Sequence, residues 1–150
     1  MPSIIESEIT INASPSAVWK ALTDPGRMKQ WMGEPEMNIE ISVDWQAGAP
    51  IVITGFHHVK FVNRGTVLQV EPEKILKYNY LSSISRLPDK PENYTVIGFR
   101  LTPVNDRTRL TLSLNNFPTE SILKHIGFYW KTTLGILKNH VENRKSDIFR

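Results

Sequence analysis

The segment from residue 119 to residue 145 is the feature that most limits how this chain can fold. Its apolar residues recur at spacings of four or three, and a line of lysines recurs every seven residues on another side, which predicts one long amphipathic helix. The apolar positions are Ile122, Ile126, Trp130, Leu134, Leu137 and Val141, and the lysines are Lys124, Lys131, Lys138 and Lys145. At 1.5 Å per residue such a helix is about 40 Å long, enough to cross a whole sheet.

Before this helix, alternating apolar and polar residues predict seven strands. They lie at 5–12, 39–44, 50–56, 59–71, 74–81, 94–101 and 109–115. Ser14-Pro15 and Asp24-Pro25-Gly26 are typical helix starts and predict two short helices between the first two strands. Strands joined by short turns are antiparallel, and one face of a twisted sheet needs a cover. We therefore expect an α+β fold in a single domain over residues 1–150, with a curved seven-stranded antiparallel sheet and the long C-terminal helix across it.

Composition excludes several classes of function. The 150 residues contain no cysteine, which removes disulfides, thiolate metal sites and thiol catalysis. The net charge of +3 comes from scattered basic residues, so nucleic-acid binding is not expected. No apolar run approaches the length of a membrane helix, and the alternating, acidic N-terminus does not resemble a signal peptide. We expect a cytoplasmic protein without membrane insertion, metal or cofactor, and the sequence shows no phosphate loop or catalytic triad.

A curved sheet under one helix leaves a concave apolar face that side chains or a ligand must fill. We expect a ligand cavity there, in which tyrosine hydroxyls and indole N–H groups orient the bound molecule. The expected ligand-binding residues are Trp31, Ile41, Val43, Ile53, His57, Tyr78, Tyr80, Ile97, Phe99, Leu112, Trp130 and Leu134.

The adjacent histidines His57 and His58 are the most evident candidates for chemistry. Adjacent residues of a strand point to opposite faces, so a shared metal site is not expected. One of the two could point into the cavity as a ligand contact or an acid–base group, and the sequence does not decide which.

Several stretches resemble the START-like superfamily, also called Bet v 1-like or SRPBCC, and more narrowly its branch related to the C-terminal domain of the activator of Hsp90 ATPase. They are ITINASPSAVWKALTDPGRMKQWM at 9–32, GTVLQVEPEKILKY at 65–78, FRLTPVNDRTRLTLS at 99–113 and GFYWKTTLGILKNHVE at 127–142. The resemblance implies the helix-grip fold, in which an apolar or amphipathic molecule is held between the sheet and the last helix. The chain departs from many relatives at residues 44–49, where they carry a basic residue and paired glycines.

Three functions stay open at this point. The first is a binding protein for an apolar or aromatic small molecule. The second, implied by the resemblance, is a polyketide cyclase- or hydrolase-like enzyme that would need His57, His58 or the two tyrosines inside the cavity. The third is a module that activates an Hsp90-type chaperone ATPase, for which Phe128, off the apolar stripe, could be an exposed contact. A homodimer is also left open.

Overall fold

The computed structural model describes residues 4–147, with side chains as far as residue 143. Seven strands and three helices follow one another as the sequence predicts. They are β1 (Ile4–Ile11), α1 (Pro15–Thr23), α2 (Pro25–Met32), β2 (Glu40–Val43), β3 (Pro50–His57), β4 (Val59–Glu71), β5 (Ile75–Ser82), β6 (Thr95–Val104), β7 (Arg107–Asn115) and α3 (Glu120–Asp147).

The strands form one antiparallel sheet in the order β1-β7-β6-β5-β4-β3-β2. Consecutive strands from β2 to β7 are neighbours, and β1 adds to the far side of β7, which places the first and last strands of the chain side by side. The ladder between β4 and β5 is interrupted at Gly65 and Thr66, where the Thr66 amide donates to the side chain of Asn79 at 2.8 Å. The predicted α+β helix-grip architecture is confirmed.

The short helices begin where the sequence predicts, because side chains at their N-termini accept backbone hydrogen bonds. The Ser14 hydroxyl accepts from the amide of Ala17 at 3.2 Å, and the Asp24 carboxylate accepts from the amide of Gly26 at 3.0 Å. Proline occupies the first turn of each helix, where its missing N–H costs nothing.

The long helix α3 runs beside β1. A β-carbon placed on Gly127 would lie 3.5 Å from Cδ1 of Ile5, and Nζ of Lys138 donates to the carbonyl of Thr10 at 2.8 Å. The strand advances five residues from Ile5 to Thr10, and the helix advances eleven from Gly127 to Lys138. Both distances are about 16 Å, so β1 and α3 run parallel over this stretch. The Glu142 carboxylate accepts from Lys138 at 2.7 Å and from the amide of Asn12 at 2.8 Å.

The prediction that the lysines of α3 all lie on an exposed face is wrong for Lys138. Lys124 and Lys131 are exposed as expected, whereas Lys138 is half-buried against β1. Lys145 lies outside the residues whose side chains are described. Long lysine stems can cover apolar surface while the ammonium group finds a polar partner, here the carbonyl of Thr10.

The core lies between the concave face of the sheet and the three helices. β7 and α1 each contribute three of its completely or almost completely buried apolar residues, and no charged side chain belongs to it within the described residues. Among the described helices, none is both long and apolar enough to cross a membrane.

Candidate functional site

All but one of the twelve expected ligand-binding residues converge on the concave face. Eight of them are buried, namely Trp31, Ile53, Tyr78, Ile97, Phe99, Leu112, Trp130 and Leu134. Ile41, Val43 and Tyr80 are partly buried and pack against the same core. The exception is His57.

His57 and His58 lie at the exposed tip of the hairpin that joins β3 to β4. His57 ends β3, and His58 turns the chain with φ of 67°, so the pair does not follow strand alternation. Their rings contact each other, with centroids 4.6 Å apart. The expectations that the two rings face opposite sides and that one of them points inward were therefore wrong. Within the described residues, no group of three His, Asp or Glu side chains could hold a metal ion.

Aromatic rings form the centre of the concave face. The ring of Trp130, on α3, lies 6.0 Å from that of Trp31 on α2 and 5.6 Å from that of Phe99 on β6. Tyr129 packs edge-on against Trp130 at 5.2 Å. Because rings from the helix layer and from the sheet meet here, this cluster fixes the spacing between α3 and the sheet.

Two tryptophans use their indole N–H groups to hold the helices in place. Trp31 donates to the carbonyl of Ala21 at 2.9 Å, and Trp45 donates to the carbonyl of Thr23 at 2.6 Å. Trp45 belongs to the turn at 44–49 that departs from the family pattern, and its ring lies 5.9 Å from that of Tyr78. The sequence analysis missed Trp45 as a site residue, although a tryptophan in a turn of small residues is a usable signal.

Tyr129 was also missed, because it neighbours Trp130 outside the regular apolar stripe. Its hydroxyl donates to the carbonyl of Met32, the last residue of α2, at 2.6 Å. Burial raises the pKa of Tyr129 to about 12, and a hydrogen bond with Thr133 partly opposes that rise. Tyr129 therefore acts as a neutral tie between α3 and the end of α2.

Unlike the hydroxyl of Tyr129, those of Tyr78 and Tyr80 have no hydrogen-bond partner within residues 4–143. Tyr78 is only 3% exposed, and burial raises the pKa of both hydroxyls far above the ordinary value. The hydroxyls of Tyr80 and Tyr129 raise the pKa of Tyr78 further, so the three phenol groups lie near one another. The Trp130 indole N–H also has no hydrogen-bond partner among those residues.

This arrangement can orient a molecule but is poorly suited to removing a proton from one. The raised pKa of each tyrosine keeps its hydroxyl protonated at neutral pH, so it donates hydrogen bonds and does not act as a base. No buried carboxylate or histidine is present among the described core residues. The site offers neutral donors on an apolar and aromatic surface.

Comparison with known protein families shows which family this chain matches. The family model described as "Activator of Hsp90 ATPase homolog 1-like protein" matches residues 12–142. The chain belongs to this family. The family assignment agrees with the resemblance seen in the sequence, and the matched range includes α1, α2, the strands β2 to β7 and most of α3.

Solved structures of the same fold include relatives from several bacteria. ChR145 from Cytophaga hutchinsonii is 33% identical, with 97% of this chain and 99% of that chain covered and a TM-score of 0.78. The Aha1 dimer from Colwellia psychrerythraea is 24% identical, with 94% and 97% covered and a TM-score of 0.73. DynU16, a protein in the dynemicin biosynthetic locus, is 22% identical, with 95% of this chain and 48% of that chain covered and a TM-score of 0.73. No curated protein matches the chain.

Proposed function

We propose that the protein binds a neutral, largely apolar or aromatic small molecule between the concave face of the sheet and α3. One observation carries the proposal: Tyr78 and Tyr80 present hydroxyls without a hydrogen-bond partner among the described residues on this apolar face, and Tyr80 keeps part of its surface accessible. A few polar groups on a mostly apolar lining are what orients a ligand in a small-molecule site. A bound molecule with an acceptor atom would supply that partner.

The packing on the β2–β3–β4 side supports the same proposal. Ile41 and Val43 of β2, Phe61 of β4 and Tyr80 of β5 pack against the core yet keep part of their surface accessible. Partly accessible apolar and aromatic side chains beside a few polar groups are typical of small-molecule sites. No charged group belongs to the described core, and an unpaired buried charge is costly, so the proposed ligand is neutral.

An enzymatic role receives less support. The cyclase- or hydrolase-like alternative needed a titratable group inside, and His57 and His58 are exposed at the hairpin tip. The tyrosines that do face inward stay protonated at neutral pH.

The test compares two tryptophan substitutions on one strand. Val43→Trp adds a large ring on the inward side, beside Ile51, whereas Ser42→Trp adds the same ring on the exposed side. We expect the neutral fluorescent probe N-phenyl-1-naphthylamine to bind the wild-type protein and Ser42→Trp, and to bind Val43→Trp at least about tenfold more weakly. Native mass spectrometry of protein isolated without added ligand then shows whether a molecule copurifies.

The proposal is overturned if the wild-type protein neither binds the probe nor carries a copurified molecule. It is also overturned if the two variants bind the probe equally well while both unfold cooperatively. Thermal unfolding of each variant distinguishes a blocked site from a damaged fold.

A second candidate function is an interaction with an Hsp90-type chaperone ATPase. Phe128 on α3 is 75% exposed, the most exposed large apolar side chain among the described residues, and the family takes its name from such an activator. Phe128→Ser should remove any stimulation of the ATPase, and Ile136→Ser, an exposed apolar residue elsewhere on α3, serves as the control. An ATPase rate that the wild-type protein does not change removes this candidate.

A homodimer is proposed on the Colwellia relative alone, which is described as a dimer. Light scattering at increasing protein concentration measures the mass directly. A monomer mass throughout would remove this proposal and leave the binding proposal unaffected.

A further inference from the structure

The side chain of Asn63 lies on the concave face beside Tyr80. The side-chain oxygen of Asn63, on β4, is buried and has no hydrogen-bond partner in the described protein. Asn63 pairs with the core residue Ile53 across the β3–β4 ladder, and directly paired residues point to the same side. The amide of Asn63 therefore faces the interior.

Asn63 and Tyr80 are near neighbours on that face. Ser82 of β5 lies opposite Asn63, and Tyr80 is two residues from Ser82 on the same side of the strand. Such diagonal positions have Cα atoms about 7–8 Å apart, within reach of an aromatic side chain. The Ser82 hydroxyl accepts from the amide of Ile84 at 3.3 Å and makes no hydrogen bond to the side-chain oxygen of Asn63.

The groups around Asn63 differ in what they offer. Tyr78, Tyr80 and the Trp130 indole each present a donor, whereas the oxygen of Asn63 is an acceptor. A hydroxyl group both donates and accepts, so it can meet the amide and a tyrosine at once. It does so whichever way the amide is turned, since the other orientation of Asn63 presents N–H groups in place of oxygen.

We infer that the ligand of this site carries a hydroxyl group, phenolic or alcoholic, held between Asn63 and Tyr80, with its apolar body against the aromatic cluster. The inference rests on the proposed function and adds the chemical class of the polar end. Thr95, opposite Tyr80 on β6 and 2% exposed, places a further hydroxyl at the same end of the site.

Asn115 offers a matched control. Its side-chain oxygen is also buried without a hydrogen-bond partner in the described protein. It follows Leu114, a core residue, so alternation points it to the outer face, where it pairs with Val96. Replacing Asn115 therefore changes the same chemical group on the side of the sheet away from the site.

The experiment measures the affinities of 2-naphthol and 2-methylnaphthalene, which differ by one hydroxyl in place of one methyl group. We expect the wild-type protein to bind 2-naphthol at least about tenfold more tightly. Asn63→Leu and Tyr80→Phe should each reduce this preference severalfold, and Asn115→Leu should leave it unchanged. Thermal unfolding of every variant verifies the fold, and Tyr80→Phe keeps the test valid if Asn63→Leu does not fold.

The outcomes distinguish the hydroxyl preference from the binding function. If both compounds bind with equal affinity, or if neither Asn63→Leu nor Tyr80→Phe alters the preference, the hydroxyl inference is wrong while the binding function stands. If Asn115→Leu alters the preference as much as Asn63→Leu, the inference is also wrong. If the wild-type protein binds neither compound nor N-phenyl-1-naphthylamine, the binding function and the inference fall together.

Discussion

The β1–β7–β6 side and the β2–β3–β4 side of the sheet differ in how deeply their inward side chains are buried. On the β1–β7–β6 side, β7 and β6 contribute inward residues that are completely buried or almost so, such as Ile97, Leu110, Leu112 and Leu114. On the β2–β3–β4 side the inward positions include the partly buried Ile41, Val43, Phe61 and Asn63. Helices contact both sides, since α3 lies beside β1, α1 approaches β6 and β7, and α2 contacts β2.

This contrast separates the source of stability from the place of binding. A closely packed region gains the full hydrophobic and dispersion contribution of every methyl group. A region with accessible apolar surface and unmet donors gives up part of that contribution, which a ligand can restore. We therefore expect substitutions on the two sides to affect different measurements.

The largest effect is expected for Leu114→Ala on the packed side. Leu114 is 0% exposed, so its removal leaves a cavity and should lower the free energy of unfolding by about 3 kcal/mol. Urea denaturation measures this change, and the affinity for N-phenyl-1-naphthylamine should stay the same. A loss of probe binding without a loss of stability would contradict the division between the two sides.

The next effect depends on pH and concerns Tyr78. In the unfolded chain its hydroxyl ionises near the ordinary pKa of 10.0, whereas burial raises the pKa in the folded protein. Its contribution to stability is therefore complete below pH 10 and is lost as the pH rises above it, by about 1.4 kcal/mol per pH unit. Urea denaturation of Tyr78→Phe from pH 9 to pH 11.5 should show a shallower decline than the wild-type protein, and parallel declines would show that the buried hydroxyl is not held neutral.

Tyr129→Phe should have a smaller effect on stability. It removes the hydrogen bond to the carbonyl of Met32, and we expect a loss of about 1 kcal/mol in the free energy of unfolding. Tyr94→Phe is the control, because Tyr94 donates to Asp89 in an exposed loop. An equal effect of the two substitutions would mean that the tie between α3 and α2 contributes no more than a surface contact.

Ile41→Ala should affect stability no more than Tyr129→Phe does. Because Ile41 is only partly buried, the substitution should cost about 1 kcal/mol, well below the cost of Leu114→Ala. Its affinity for the probe should fall, since Ile41 lines the proposed site. A cost equal to that of Leu114→Ala would show that both sides of the sheet are equally well packed.

The architecture was predictable because its signals are periodic. Alternation with a period of two located all seven strands, and spacings of three and four located α3. The convergence of Trp31, Phe99 and Trp130 followed from which faces were apolar. A sheet with one apolar face and one long amphipathic helix has few other ways to bury both.

The wrong and missing predictions concern residues where the alternation of apolar and polar side chains ends, or residues whose hydrogen bonding depends on neighbouring strands. His57 was misplaced because the hairpin turns at His58, a residue with positive φ and no glycine or asparagine to signal it. Asn63 sits at an inward position of β4 between Phe61 and Gly65, so alternation could have flagged it. Its lack of a partner depends on the neighbouring strands, which only the structure shows.

The contacts between the last turns of α3 and β1 have a consequence for association between copies. β1 is an edge strand, and edge strands carry free backbone groups that can recruit another chain. Here Lys138 and Glu142 occupy the Thr10 carbonyl and the Asn12 amide, while the opposite edge, β2, is only four residues long. These contacts hinder the addition of a strand at the C-terminal end of β1, and the shortness of β2 limits it at the opposite edge.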